Sequence, residues 1–217
     1  MVSWNYIANG ASIKSSIEAS LRLSVSPKPS DVILVVGKLC STLDLSSIGI
    51  SSYIALDVDG VFDYSNFNSS LRLPNIKIDL CVVCCWLSSA RLKLSDLKSL
   101  SFYLSDCASL FYIDFNPFSL LLLGKLYPSL KNSYPWSYTL YSSTSVTRQL
   151  SNLDFNVLSA KHMVFHHLLT KYSNTSSFES FCCSNFSIFG SIYFISANKS
   201  ILTPVVDNKG KSGIIGV

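Results

Sequence analysis

Two carboxylates at the end of a short apolar run are the side chains best placed for ligand chemistry. The run Tyr53 to Val58 predicts a strand that closes with Asp57 and Asp59. A carboxylate at the carboxyl end of a strand can accept two hydrogen bonds from neighbouring sugar hydroxyls. Gly37 ends the earlier run Val32 to Val36 and would let a ligand approach the backbone closely. Asp57 is therefore the first ligand-binding candidate and Asp59 the second, with a solvated turn position as the alternative.

The next candidates end a longer apolar run that begins at Ile78. Cys84, Cys85 and Trp86 lie at its end, and the indole ring of Trp86 suits stacking on a flat ligand as well as packing at the rim of a core. Cys81 and Cys84 have the two-residue gap of a redox or zinc pair. On a strand, however, positions 81 and 84 point to opposite faces. We therefore expect buried free thiols here.

Three other residues, later in the chain, are candidates for binding a substrate. Asn116 follows the apolar run Leu110 to Phe115 and could offer its amide to a substrate or hold a turn beside Pro117. Trp136 and Tyr138 belong to a loop rich in aromatic rings. Such a loop could cover a sugar or aromatic substrate, and packing within the loop is the alternative.

His162 and His166 form a third kind of candidate. The segment His162 to Tyr172 predicts a helix or helical turn, on which these two histidines would share a face. They could then bind a metal ion or act as a general base. No carboxylate lies close in sequence to complete such a site, so a packing or surface role is favoured.

Composition narrows the classes of protein that these residues could serve. The chain has 217 residues, enough for one α/β domain with a full core. Only 14% of the residues are charged, against about 25% in an average domain. The net charge of +4 is spread along the chain without a basic run, which argues against a nucleic-acid site. A low-charge surface also favours a homo- or hetero-oligomer.

Hydropathy indicates neither a membrane anchor nor a leader. No apolar run approaches the roughly 20 residues of a membrane span. The amino-terminal residues lack the basic start and apolar centre of a signal peptide. We therefore expect a cytoplasmic protein with no integral membrane span.

The elements that must position these residues alternate along the chain. The periodicity predicts helices over Ile7–Leu23, Leu92–Cys107, Phe118–Leu130 and Ser143–Leu150, and further strands over Ile78–Leu87, Leu110–Phe115, from Phe155, and over Ile188–Ser196. This alternation indicates a three-layer α/β sandwich with a Rossmann-like, mostly parallel sheet. We divide the chain into an amino-terminal helical segment (1–30), one domain (31–200) and a carboxyl-terminal tail (201–217).

In this order, the elements from Asp31 to Asn198 resemble the class I S-adenosylmethionine-dependent methyltransferases. The resemblance implies an antiparallel strand near the carboxyl terminus. The segments that carry it are the first strand with Gly37, Tyr53-Ile-Ala-Leu-Asp57, Leu73-Pro74 with Ile78-Asp-Leu-Cys-Val-Val83, Leu153-Asp-Phe-Asn-Val157, and Ile192-Tyr-Phe-Ile195 with Asn198-Lys199.

The resemblance implies S-adenosyl-L-methionine as the cofactor and methyl transfer to a hydroxyl or amine of a small molecule or glycan. Gly37, Asp57, Cys84 and Trp86 would bind the cofactor, and Asn116, Trp136 and Tyr138 the substrate. The family's first motif usually has two or three glycines, whereas the segment Val36–Thr42 has one.

Side chains at positions 39 and 41 would crowd the cofactor space that glycines leave empty. A catalytically inactive methyltransferase fold that serves as a binding or assembly partner is therefore the alternative function. A nicotinamide-binding domain is less favoured, because it would require the glycine fingerprint even more strongly.

Overall fold

The computed structural model describes residues 4, 7, 10–37, 39–56, 77–85, 94–119, 139–165, 187–200, 204–206 and 212–214. Its helices are α1 (Gly10–Ser24), α2 (Leu97–Ser101) and α3 (Ser143–Ser151). Its strands are β1 (Ile33–Val36), β2 (Ile54–Leu56), β3 (Ile78–Cys84), β4 (Leu104–Phe115), β5 (Phe155–Met163), β6 (Ile192–Lys199), β7 (Pro204–Val206) and β8 (Ser212–Ile214). Short 3-10 turns cover Cys40–Thr42, Ser46–Ile48, Leu94–Asp96 and Ser187–Phe189.

Six of these strands form one sheet in the order β2-β1-β3-β4-β6-β5. β1 is parallel to β2 and β3, and β3 is parallel to β4. β6 is antiparallel to both of its neighbours, β4 and β5, so β1 to β5 all run in one direction. The predicted mostly parallel sheet with an antiparallel strand near the carboxyl terminus is confirmed. β7 and β8 pair separately as a small antiparallel ribbon.

Apolar residues cover both faces of the central strands. The first core, here called the α1-side core, joins α1 to one face of the sheet. The second, the α3-side core, joins α2 and α3 to the other face. Along β1, Ile33 and Val35 belong to the first core, whereas Leu34 and Val36 belong to the second. The strands therefore read as continuous apolar runs, as buried parallel strands do.

Helix α1 buries one stripe of its surface. Ile13, Ile17 and Leu21 recur every four residues and are fully buried, the spacing at which helical side chains share a face. The helix begins at Gly10, later than the predicted Ile7. A Cβ at Gly10 would clash with the Trp4 carbonyl oxygen, so the Trp4 backbone packs directly on the glycine.

The predicted helix Leu92–Cys107 is wrong in its second half. Helix α2 ends at Ser101, and β4 already begins at Leu104. The Nζ atom of Lys199 donates to the carbonyl oxygens of Ser101 and Leu104, at 2.9 and 3.1 Å. Leucines spaced three or four apart fit a helix, but Leu104 satisfies its burial by pairing with Ile78 in the sheet.

The predicted helix from His162 is wrong at its start, because His162 and Met163 are the last residues of β5 and pair with Tyr193 and Ile192. The predicted helix Ser143–Leu150 is confirmed as α3, where the Ser142 hydroxyl accepts from the Ser145 amide at 3.2 Å. The predicted helix 118–130 lies almost wholly outside the described residues. None of the described helices is long and apolar enough to cross a membrane.

Candidate functional site

The carboxyl ends of β1 to β5 meet at one edge of the sheet, here called the carboxyl edge. Along the chain, β2 is added on one side of β1 and β3 on the other. In open α/β sheets, ligands bind outside the carboxyl ends of the strands at such a reversal of strand order. Gly37 ends β1 and Cys85 follows β3, so both lie at this point.

Gly37 has the backbone conformation that a close-approach glycine requires. Its φ angle is 105°, a value that residues with a Cβ rarely adopt. The next residues form a 3-10 turn in which the Cys40 amide donates to the Gly37 carbonyl at 3.0 Å. The Thr42 hydroxyl donates to the Leu39 carbonyl at 2.7 Å.

The Leu39 side chain does not crowd the carboxyl edge, contrary to the expectation from the sequence. It is 1% exposed and belongs to the α1-side core, because the 3-10 turn carries it inward. The side chain at position 41 lies outside the described residues. The crowding predicted from the sequence is therefore wrong at position 39.

Three buried thiols lie behind this point. The Cys84 thiol donates to the Cys85 sulfur at 3.8 Å, and the Cys40 thiol donates to the Val82 carbonyl at 3.7 Å. The neighbouring Cys40 thiol, together with burial, raises the pKa of the Cys84 thiol well above its usual range. A thiol that stays protonated is a poor nucleophile, so Cys84 packs in the core rather than reacting.

Cys81 and Cys84 are confirmed as buried free thiols on opposite faces of the sheet. Cys81 belongs to the α3-side core and Cys84 to the α1-side core. Burial raises the pKa of the Cys81 thiol. Among the described residues, no group of three His, Cys, Asp or Glu side chains could hold a metal ion.

Two non-glycine residues at the carboxyl edge have left-handed backbones. Cys85, after β3, has φ 52°, and Val164, after β5, has φ 63°. For a β-branched residue such as Val164 this is a genuine outlier. Each such conformation costs on the order of 1–3 kcal/mol and is found most often at binding and active sites. Of the three non-glycine residues with a positive φ in the described part of the chain, these two lie at the same edge as Gly37, whereas Asp154 directly precedes β5 at the opposite edge.

Asn116 is 1% exposed and holds the loop before β6. Its amide nitrogen donates to the carbonyl oxygens of Ile188 and Gly190, at 2.6 and 2.8 Å. Its amide oxygen accepts from the Phe118 backbone at 3.1 Å. Both amide hydrogens are thus committed to the backbone, as the turn role predicted for this residue requires.

A polar row, of which the sequence identified only His162 as a candidate, crosses the sheet beside this loop. Asp114 and His162 both pair with Tyr193 of the intervening strand β6, and directly opposed residues share a face. The Tyr112 hydroxyl donates to the Asp114 carboxylate at 2.9 Å. The only signal in the sequence is an acidic residue within an apolar run, Tyr-Ile-Asp-Phe.

The groups in this row differ in how they titrate. Burial, followed by the charge of Asp114, raises the pKa of the Tyr112 and Tyr193 hydroxyls well above its usual range. Burial lowers the pKa of His162. The His162 Nε2 atom lies 3.0 Å from the Ser143 hydroxyl. These pKa directions favour the neutral imidazole of His162 and the neutral phenols of the two tyrosines.

A groove of about 440 Å³ lies beside the amino-terminal turns of α3. The described residues that line it are Leu94, Phe118, Ser142, Thr144, Ser145, Arg148 and Gln149. Of the residues selected from the sequence, Gly37, Cys84, Asn116 and His162 lie at the carboxyl edge. Asp57, Asp59, Trp86, Trp136, Tyr138 and His166 lie outside the described residues.

No protein-family model matches this chain, and no curated protein matches it. Solved structures do. A candidate S-adenosylmethionine-dependent methyltransferase of Listeria monocytogenes has a TM-score of 0.57 and 9% identity, over 87% of this chain and 99% of that one. A methyltransferase dependent on the same cofactor, from Thermotoga maritima, has a TM-score of 0.50 and 12% identity, over 84% and 87%.

The plantazolicin methyltransferase, solved with S-adenosylhomocysteine, also has a TM-score of 0.50 and 12% identity, over 87% of this chain and 82% of that one. At such low identities the likeness is one of fold. It agrees with the strand order, the single antiparallel strand and the layers of helices described above. The chain therefore has the fold of the class I S-adenosylmethionine-dependent methyltransferases.

Proposed function

We propose that this protein is a methyltransferase that binds S-adenosylmethionine at the carboxyl edge and methylates a hydroxyl or amine of a small molecule or glycan. The observation that carries the proposal is Gly37, whose left-handed backbone ends β1 where the strand order reverses. The strained backbones of Cys85 and Val164 at the same edge support it. The plantazolicin methyltransferase, of similar fold, was solved with S-adenosylhomocysteine.

In this proposal, the Gly37 backbone lies against the cofactor and Asp57 accepts hydrogen bonds from the ribose hydroxyls. Cys84, at the end of β3, and Trp86 complete the proposed cofactor site. Asn116 positions the loop before β6, beside a substrate wall that includes Trp136 and Tyr138. A cytoplasmic location and self-association or assembly with a partner complete the proposal.

S-adenosylmethionine, when bound, supplies an electrophilic methyl group. Transfer to an oxygen or nitrogen lone pair depends mainly on holding the donor and acceptor in line, which a rigid sheet edge can do without a dedicated base. The Ser143 hydroxyl and His162 imidazole lie at this edge, so a neutral proton acceptor is also present there.

The second candidate function is a methyltransferase fold without activity that serves as a binding or assembly partner. The observation that favours it is the turn after Gly37, which has no further glycine and in which Leu39 and Cys40 are buried. Such a turn presents fewer backbone sites for close approach than a glycine-rich loop does.

Calorimetric titration of the full chain with S-adenosylhomocysteine tests the proposal. We expect measurable heat and a rise in the thermal midpoint. Asp57→Asn should weaken binding by about tenfold or more, because hydrogen bonds to a charged group contribute about 1.5–3 kcal/mol. Asp106→Asn, an exposed acid near the opposite end of β4, is the matched control and should bind normally. If neither heat nor a thermal shift is seen at millimolar S-adenosylhomocysteine, the result would favour the second candidate function, the methyltransferase fold without activity.

A further inference from the structure

Among its described lining residues, the groove beside α3 contains none of the residues assigned to the proposed cofactor site, and one face of α3 lines it. Helix α3 buries Ser143, Val146 and Leu150 against the sheet. Thr144 and Arg148, like Ser145 and Gln149, are four positions apart, so these two pairs share the other face of the helix. That face forms one wall of the groove.

The groove also has apolar lining. Leu94 and Phe118 are the apolar residues among its described lining residues, and the Phe118 side chain is 60% exposed. An exposed aromatic ring beside a cleft is a surface on which a flat or apolar group can pack. The volume of about 440 Å³ falls within the range of roughly 300–1,000 Å³ for small-molecule sites.

Among the described residues that line the groove, Arg148 is the only one with a charged side chain. Within the described part of the chain it forms no ion pair and its guanidinium makes no hydrogen bond. The side chains of Thr144 and Gln149 likewise have no hydrogen-bond partner among those residues. A guanidinium presents a fork of donors that matches a carboxylate or phosphate. The groove therefore combines an unpaired cation, two unpaired polar groups and an apolar lining.

The groove opens at the carboxyl edge. Helix α3 begins beside His162, the penultimate residue of β5, through the 3.0 Å contact with Ser143. Phe118 follows the end of β4 by three positions, and its backbone amide donates to the Asn116 amide oxygen. A molecule in the groove would thus lie at the same edge of the sheet as a ligand at Gly37.

We propose that this groove is the methyl-acceptor site and that the acceptor is a small molecule with an acidic group and an apolar or aromatic body. The acidic group pairs with Arg148 and the apolar body packs on Phe118 and Leu94. The acceptor role rests on the proposed function above, whereas the binding of an aromatic acid does not.

Titration of the isotope-labelled full chain with three small probes, followed by two-dimensional NMR, tests the inference. The probes are phenylacetate, phenyl phosphate and the neutral phenylacetamide. We expect one or both acids to shift the amide signals of residues 144–149 and to bind about tenfold or more tightly than phenylacetamide. The stronger of the two acids identifies the group as a carboxylate or a phosphate.

Variants make the test specific. Arg148→Gln should weaken acid binding by about tenfold or more, and Arg148→Lys should retain part of it. Lys98→Gln, which removes an exposed cation from α2, should change nothing. Equal thermal midpoints for the three variants would show that they are folded. Equal binding of phenylacetamide, unchanged acid binding by Arg148→Gln, or shifts confined to other residues would overturn the proposal.

The calorimetric titration with S-adenosylhomocysteine separates the two proposals. If the cofactor product binds and neither acid does, the methyltransferase function stands and the acidic-acceptor inference fails. If an acid binds through Arg148 and the cofactor product does not bind, the groove remains an acid-binding site and its acceptor role is lost.

Discussion

His162 shows how far a residue's role depends on its neighbours. Spacing alone predicted a helical pair with His166, whereas His162 lies in β5 with its ring 6.3 Å from that of Tyr193. The Ser143 hydroxyl lies 3.0 Å from its Nε2 atom. No described charged group forms an ion pair with this imidazole, so burial alone lowers its pKa.

The lowered pKa predicts a loss of stability in mild acid. The folded state holds a proton at His162 less readily than the unfolded state, in which the pKa of the imidazole is about 6.5. The contribution of His162 to the free energy of unfolding is therefore fully present above that pH. It is lost as the pH falls toward and through the folded pKa. Urea unfolding between about pH 5 and 7.5 should therefore show a shallower pH dependence for His162→Gln than for the wild type.

Lys161→Gln, at the exposed neighbouring position, is the control and should keep the wild-type dependence. Parallel pH profiles for His162→Gln and the wild type would mean that burial does not lower the pKa of His162.

At the scale of elements, α1 shows what the amphipathic pattern contributes. Its carboxyl-terminal turn places Leu21 in the α1-side core at 0% exposure and leaves Leu23 89% exposed. The two leucines are two positions apart on one helix, so their helix propensities match and only their burial differs.

This pair gives a prediction with an internal control. Leu21→Ala should lower the free energy of unfolding by about 2–5 kcal/mol, because it removes buried methyl groups and leaves a cavity. Leu23→Ala should change it by less than about 0.5 kcal/mol. Chemical denaturation of the two variants measures both values. Equal losses would show that α1 does not pack on the sheet through Leu21.

For the whole molecule, the thiols report on packing across both faces of the sheet. Cys40, Cys81, Cys84 and Cys85 are buried, whereas Cys107 is exposed near the start of β4. Thiolates are the reactive form, and burial raises the pKa of Cys81 and contributes to the raised pKa of Cys84. Alkylation of the native chain should therefore discriminate sharply between these sites.

Iodoacetamide labelling followed by peptide mass spectrometry measures this. We expect Cys107 to react at least about a hundredfold faster than Cys81 or Cys84, which become accessible only when the structure opens. In urea the rates should converge. Native labelling of Cys84 at the rate of Cys107 would contradict a closed core at the end of β3.

Local patterns in the sequence determined most of the sheet. Apolar runs rich in β-branched residues located β1 and β3, and the four-residue spacing of Ile13, Ile17 and Leu21 located α1. These patterns are reliable because burial on both faces, or on one helical stripe, requires them locally. The sequence also identified Gly37, because a strand followed by glycine is a local signal.

Only the tertiary structure decided how distant residues meet at the carboxyl edge. Strand register placed Asp114 and His162 on either side of Tyr193. The same pairing makes His162 part of the end of β5, where the sequence predicted a helix. The groove beside Arg148 likewise needed the position of Phe118, 30 residues earlier in the chain. Such contacts depend on which strands pair and in what register, so Gly37 could be read from the sequence while the groove around Arg148 could not.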